Sequence, residues 1–354
     1  MRSILALLGF CLAALDLKAQ DTSAPKLEKA WSSETTFVVT CVAFSPDGKS
    51  LAAGGREYGL ILIDSASGQI RKTFPVPKTS GKEDITGVGF SADGNFLLTG
   101  GSDGAVRQWD VRSGKEVKAK VLMPFTPTSP SEEMGIVNRF EVSSDGKLCA
   151  AGFLQKIAIV KGASIEETLR LAGHPCAVTA STRAWGIHAL FFSRDNSKLA
   201  SGGPEGIVRV WDVKTGKQLH ALQSRTQLPD RNIPVYVVSL SGDGKFLATP
   251  GDNGAVRIWD IQTGKEQPSL AGHKSQVKGL AFSSPGRHLI SADQDVIKIW
   301  DHSAAKELFE APTPDGVDCM VLSRDGGLLA LGSYRKSVSV FRWTGPKTAT
   351  EEKK

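Results

Sequence analysis

VYVVSLSGDGKFLATPGDNGAVRIWDIQTGK, residues 235–265, is the stretch whose reading decides the fold, because the chain repeats it seven times between Val39 and Arg342. The copies centre on Ser45-Pro46-Asp47-Gly48, Ser91-Ala92-Asp93-Gly94, Ser144-Asp145-Gly146, Arg194-Asp195-Asn196, Gly242-Asp243-Gly244, Ser284-Pro285-Gly286 and Arg324-Asp325-Gly326. About 15 residues later each copy reaches an apolar–polar pair: Ile63-Asp64, Trp109-Asp110, Val160-Lys161, Trp211-Asp212, Trp259-Asp260, Trp300-Asp301 and Phe341-Arg342. Within a copy, short apolar runs rich in β-formers alternate with turn residues. Val277–Phe282 reads as a first strand, Phe246–Thr249 as a second, Val256–Trp259 as a third and Gln218–Leu222 as a fourth. Asp-Gly supplies the tight turn after the first strand, where Gly accepts a positive φ.

A four-stranded sheet cannot bury both its faces alone, so successive copies must stack face to face. The copies start about 40–50 residues apart, the period of a propeller blade, and radial stacking leaves only short, protected edges. The expected fold is therefore all-β, a seven-bladed β-propeller of four-stranded blades. Its repeats lie near 39–74, 85–121, 137–172, 187–222, 235–270, 277–311 and 317–343. The seventh copy has three strands and then a polar tail, 344–354. At the other end Lys26-Leu27-Glu28-Lys29-Ala30-Trp31 reads like the fourth-strand segment Glu307–Ala311. Residues 26–33 are thus expected to complete the last blade and remove an open sheet edge. One domain, 20–343, accounts for the length, since added blades extend a core without thickening it.

The sequence resembles the WD40-repeat family over roughly residues 31–343. Four copies keep Trp-Asp, and two are preceded by Gly-His, at Gly173-His174 and Gly272-His273. The resemblance implies a structural hydrogen-bond network of His, Ser or Thr, an acid in the second turn, and Trp. His273, Ser291, Asp295 and Trp300 match all four positions, and His174, Ser201, Glu205 and Trp211 match with Glu for Asp. Thr99, Asp103 and Trp109, and Thr249, Asn253 and Trp259, lack the His. The third and seventh copies have lost Trp-Asp, which puts the network in doubt there but not the fold. Such a scaffold says little about function on its own.

Met1-Arg2-Ser3 followed by the apolar run Ile4–Leu15 and Leu17-Lys18-Ala19 reads as a signal peptide, 1–19, cut before Gln20. The run is shorter than a membrane span requires. An exported protein is expected, periplasmic or secreted and bacterial; no Asn-x-Ser/Thr acceptor occurs in the chain. Cys41, Cys149 and Cys319 sit in strands where small apolar residues stand in other copies, so they read as buried free thiols rather than disulfides, although export permits pairing.

Function is expected where copies differ. The extra length lies between the fourth strand of one copy and the first strand of the next, at 75–85, 123–136, 174–187 and 223–234. These connections share one face with the second turns, and loops on a rigid scaffold concentrate binding residues. That face offers Arg56, Tyr58, Phe125, Arg183, Trp185, Arg225, Arg231, Tyr334 and Arg335, and aromatic and Arg side chains are the usual interface anchors. Adjacent acids such as Glu83-Asp84 and Glu166-Glu167 lack convergent geometry. The six His show no metal-ligand spacing, and no phosphate-binding, haem-attachment or nucleophile-elbow motif is present. No catalytic residue, cofactor or metal is expected. The net charge of +6 comes partly from one basic residue per blade (Arg107, Arg209, Arg257, Lys298), read as solvated surface rather than a phosphate-tracking stripe. Nucleic acid is therefore not the expected partner. The leading expectation is a monomeric, non-catalytic scaffold that binds a protein or peptide. A hydrolase or lyase, or a glycan- or small-ligand-binding propeller with its site at the channel mouth, stays open.

Overall fold

Seven four-stranded antiparallel sheets are arranged as a β-propeller in a computed structural model that describes residues 25–77, 84–122, 136–172, 174, 186–225, 233–283, 286–313 and 315–344. Each sheet is one blade, and in blades 1 to 6 the strands run in sequence order from the central channel outward. Blade 3, for example, is Arg139–Val142, Leu148–Gly152, Lys156–Lys161 and Glu166–Ala172. Blade 6 is Gly279–Phe282, His288–Ala292, Val296–Asp301 and Lys306–Pro312. Among the described residues the only helical segment is a single 3-10 turn, Asp252–Gly254.

Blade 7 closes the ring. Its outermost strand is Lys26–Glu34, antiparallel to Ser337–Thr344 with Lys26 opposite Thr344 and Glu34 opposite Ser337. The first strand of the chain thereby covers an edge that would otherwise template pairing with another chain. Leu27 is buried between the blades and the Trp31 indole N–H donates to the Ser65 carbonyl at 2.8 Å, tying the closing strand to blade 1.

In six of the blades the turn after the first strand is built by side chains as well as by a positive-φ residue. Ser45 donates to Asp47 at 2.6 Å, and the same Ser–Asp contact recurs at Ser91–Asp93, Ser143–Asp145, Ser241–Asp243 and Ser323–Asp325. In blade 4, Ser193–Asp195 makes the contact and Asn196 adopts the positive φ, 59°, that Gly takes elsewhere. Asn tolerates that region better than other residues with a side chain. The Asp of each Trp-Asp pair caps the third turn: Asp212 accepts from the Thr215 N–H and hydroxyl, both at 2.7 Å.

The core lies between blades. Leu51, Ile61 and Ile63 of blade 1 pack with Ala330, Val338 and Val340 of blade 7, and Ile290, Ile297 and Ile299 of blade 6 pack with Leu329 and Phe341 of blade 7. Cys41, Cys149 and Cys319 are buried and free, and desolvation pushes the Cys41 thiol up to about 12. They behave as small apolar residues.

Candidate functional site

The Trp side chains are fixed by hydroxyls on the neighbouring strand. In blade 6 the Trp300 indole N–H donates to Ser291 Oγ at 2.7 Å, and His273 Nε2 contacts the same oxygen at 2.6 Å. His273 Nδ1 faces the carboxylate of Asp293, 3.2 Å away. The acid of this network is thus Asp293, not Asp295. Asp293 is fully buried at the end of its strand and accepts the turn N–H groups of Asp295 and Val296, both at 2.9 Å. Asp295 stands two residues later at the exposed tip. Burial lowers the His273 pKa against the pull of Asp293. In blade 4, His174 joins Ser201 at 2.6 Å and Glu205 at 2.9 Å, with Trp211 donating to Ser201 at 2.8 Å. Trp109 and Trp259 donate to Thr99 and Thr249, both at 2.9 Å.

The third-strand cations of the four Trp-bearing blades are not solvated surface. Arg107, Arg209 and Lys298 are buried; Arg107 pairs with Asp103, Arg209 with Glu205, and Lys298 with Glu307 at 2.8 Å and with Glu310. Each lies on the third strand directly opposite the network hydroxyl: Arg107 faces Thr99, Arg209 Ser201, Arg257 Thr249 and Lys298 Ser291. Their alkyl stems cover the blade while their heads reach acids, so periodicity here marks structure.

On the loop face the second turns meet the inter-blade connections. The Arg56 N–H donates to the Val38 carbonyl at 3.0 Å, and the Ile187 N–H to Phe153 at 2.9 Å. Arg56, Tyr334 and Arg335 are exposed there, with the Arg335 guanidinium 5.7 Å from the Tyr334 ring centroid and its Nε–H donating to the hydroxyl at 3.2 Å. Tyr58 is half-buried against the core between blades 1 and 2. Arg225, expected as an exposed anchor, is buried instead, 6% exposed beside Tyr236 and Asp252. Its Nε and Nη2 have no hydrogen-bond partner, and desolvation lowers its pKa. The chain folds back over Arg225 because its own N–H and that of Ser224 both bond the Gly206 carbonyl. Phe125, Arg183, Trp185 and Arg231 lie outside the described residues.

The first strands of the blades surround a central cavity of about 550 Å³. Strand register places Cys41, Gly87, Arg139, Ala189, Gly279 and Cys319 at one equivalent position, each opposite a Gly or Ala in the last two residues of its second strand. Arg139 is the single charged residue of that set. Two residues on, Glu141 takes the place of Ala43, Gly89, Phe191, Ala281 and Val321. Burial pushes the Glu141 carboxyl up to about 7, with Arg139 opposing, while burial and Arg139 together hold His188 down to about 4. Tyr236 lines the same cavity, its ring 4.9 Å from that of His188. Inspection of loop lengths missed Arg139 and Glu141. The signal was a comparison of first strands, where Arg-Phe-Glu interrupts runs of small residues. Among the described residues no cluster of His, Cys, Asp and Glu could hold a metal ion, and no helix is long and apolar enough to cross a membrane.

Comparison with known proteins agrees with this geometry. Residues 26–64 and 68–110 match a family described as "WD domain, G-beta repeat". Residues 169–342 match "Nucleolar protein 10-like, N-terminal domain". The chain is 27% identical over 344 residues to a guanine nucleotide-binding protein subunit beta of Oryza sativa subsp. japonica, covering 93% of this chain and 74% of that protein. It is 30% identical over 185 residues to periodic tryptophan protein 2 of Arabidopsis thaliana, covering 51% of this chain but 18% of that protein. Transducin beta-like protein 3 of Rattus norvegicus is 20% identical over 329 residues, with 90% of this chain and 34% of that protein covered.

Proposed function

The chain is a WD40-repeat protein, a seven-bladed β-propeller, and from that premise we propose that it is a non-catalytic scaffold, exported from a bacterial cell, that binds a protein partner on its loop face. Export rests on the leader Met1–Ala19, which lies outside the described residues. A role in assembly draws support from the similarity to proteins named as subunits of guanine nucleotide-binding proteins.

The observation that carries the reading is the exposed Tyr and Arg side chains of the loop face, set beside blades whose polar residues are buried. Within the Trp-bearing blades the His, acidic and basic residues are engaged with one another, as at His174–Glu205–Arg209. On the loop face, Arg56, Tyr334 and Arg335 project from the adjacent second turns of blades 1 and 7. Tyr and Arg supply large contact areas that lose little freedom when a rigid frame holds them. The basic balance of the chain favours an acidic partner surface.

The test is affinity capture from envelope extract with the chain from Gln20, run beside the folded variant Arg56→Glu, Tyr334→Ala, Arg335→Glu. A protein retained by the parent and lost by the variant supports the assignment. Equal capture by both removes the face from consideration.

A further inference from the structure

A guanidinium in an apolar-walled cavity needs a counter-charge, and Arg139 has none among the described residues. Its Nε is shielded from solvent without a hydrogen-bond partner. The nearest acid on its own strand is Glu141, whose carboxyl burial raises to about 7, so that it is mostly protonated at pH 6.5. Across the channel, Asp318 is engaged by Lys278 at 3.0 Å. His188 on blade 4 stays uncharged, and the thiols of Cys41, Cys149 and Cys319 are pushed up by burial. Once Glu141 is protonated, the net positive charge of this end of the channel sits on Arg139, while Asp145, Lys147, Arg194 and Arg324 line the cavity at the turns that end the first strands. Below Arg139 the wall is apolar: Phe44, Phe191, Phe282, Met320 and Val321 all line the cavity and are half-exposed to it.

We propose that the central channel binds a small monocarboxylic acid with an apolar body, its carboxylate on Arg139, its second oxygen within reach of Glu141, and its body against the aromatic wall of the channel. An Arg guanidinium pairs with a carboxylate through two parallel N–H···O bonds, an interaction that a Lys or a neutral donor does not reproduce. A single cation at this end of the channel suits a monoanion; a phosphate dianion on Arg139 would leave a negative charge unpaired in a poorly solvated site. The cavity volume of about 550 Å³ falls in the range of small-molecule sites, which are mostly apolar with a few placed polar groups. Protonated Glu141 offers an O–H donor to the ligand, whereas ionised Glu141 repels it. Binding therefore tightens as pH falls through about 7. The groups facing Glu141 are Arg139 on its own strand, Cys149 on the next and Cys41 of blade 1, and neither thiol ionises in that range. This site lies inside the ring and is independent of the loop face, so either assignment can fail alone.

Isothermal titration of the purified protein with decanoate, decanol and inorganic phosphate at pH 6.5 tests the proposal. Decanoate should bind at one site, at least tenfold more tightly than decanol or phosphate, and Arg139→Met should weaken it tenfold or more. Glu141→Gln should keep binding within about threefold and remove its change between pH 6 and pH 8. No saturable decanoate binding, decanol or phosphate binding as tightly as decanoate, or a decanoate affinity indifferent to Arg139→Met would each overturn it. Should Arg139→Met not fold, the comparison of decanoate with decanol on the parent decides alone.

Discussion

Blades 3 and 6 share a backbone but solve the same interior problem with different chemistry. In blade 6, Trp300 lies opposite Leu289, and Ser291 two residues along receives its indole N–H. In blade 3, Val160 takes the Trp position opposite Cys149, and Ala151 stands where Ser291 would. The pairing holds around the ring. Thr99, Ser201 and Thr249 accompany Trp109, Trp211 and Trp259, whereas Ala53 and Leu331 accompany Ile63 and Phe341. A buried hydroxyl without a partner is costly, and so is a buried indole N–H. The two therefore come and go together, and the third-strand cation goes with them: Ile61, Ala158 and Ser339 replace it in blades 1, 3 and 7. Blade 3 lacks the polar network, keeps its register by apolar packing of Phe153, Val160 and Ile165, and carries Arg139 and Glu141 on its first strand. What the blades repeat is structure; where one departs, chemistry becomes available.

The largest effect should come from the strand that completes blade 7. Removing residues 20–33 exposes the Ser337–Thr344 edge and uncovers the Leu27 site, so the melting temperature should drop sharply and aggregation should rise. An unchanged melting curve would mean that the ring does not depend on this closure. Next, the blades should separate under truncation. Trp300→Ala in blade 6 should cost about 3–5 kcal/mol in denaturant unfolding, against about 2 kcal/mol for Val160→Ala in blade 3. Equal losses would mean that the network adds nothing beyond volume.

The smallest effect is a pH dependence confined to blade 3. The Glu141 carboxyl is raised in the folded state from its ordinary 4.5 to about 7. The folded protein keeps that proton after the unfolded chain has released it. The resulting stability is fully present below pH 4.5 and is lost as pH rises through about 7. Glu141→Gln should remove that slope and leave the variant more stable at pH 8 by about 1–2 kcal/mol, allowing for partial solvent screening. Denaturant midpoints measured from pH 4 to pH 8 would reveal it, and parallel profiles would contradict it.

The blade number, the four-strand pattern and the closing strand were all legible, because repeated turns and alternating apolar runs are local signals that seven copies reinforce. The network acid was misread because Asp293 and Asp295 share one turn, and only backbone geometry decides which carboxylate turns inward. Arg225 looked like an exposed anchor because its burial depends on Tyr236 and Asp252 from the next blade. The third-strand cations looked solvated for the same reason: their acids, such as Glu205 and Glu307, come from neighbouring turns and strands. Arg139 and Glu141 needed strand register, which aligns them with the small residues of other first strands. Long-range packing, not local pattern, separates what was read from what was missed.

The central claim is that repeated residues hold the frame while departures from the repeat do the binding. It is tested most directly by measuring both the melting temperature and the partner Kd for two variants. Ser291→Ala, which strands the Trp300 N–H and His273, should lower stability by about 1–3 kcal/mol and leave Kd unchanged where the protein is folded. Arg56→Glu, Tyr334→Ala, Arg335→Glu should leave the melting temperature unchanged and abolish binding. Loss of binding in the folded Ser291→Ala protein, or intact binding in the loop-face variant, would contradict the account.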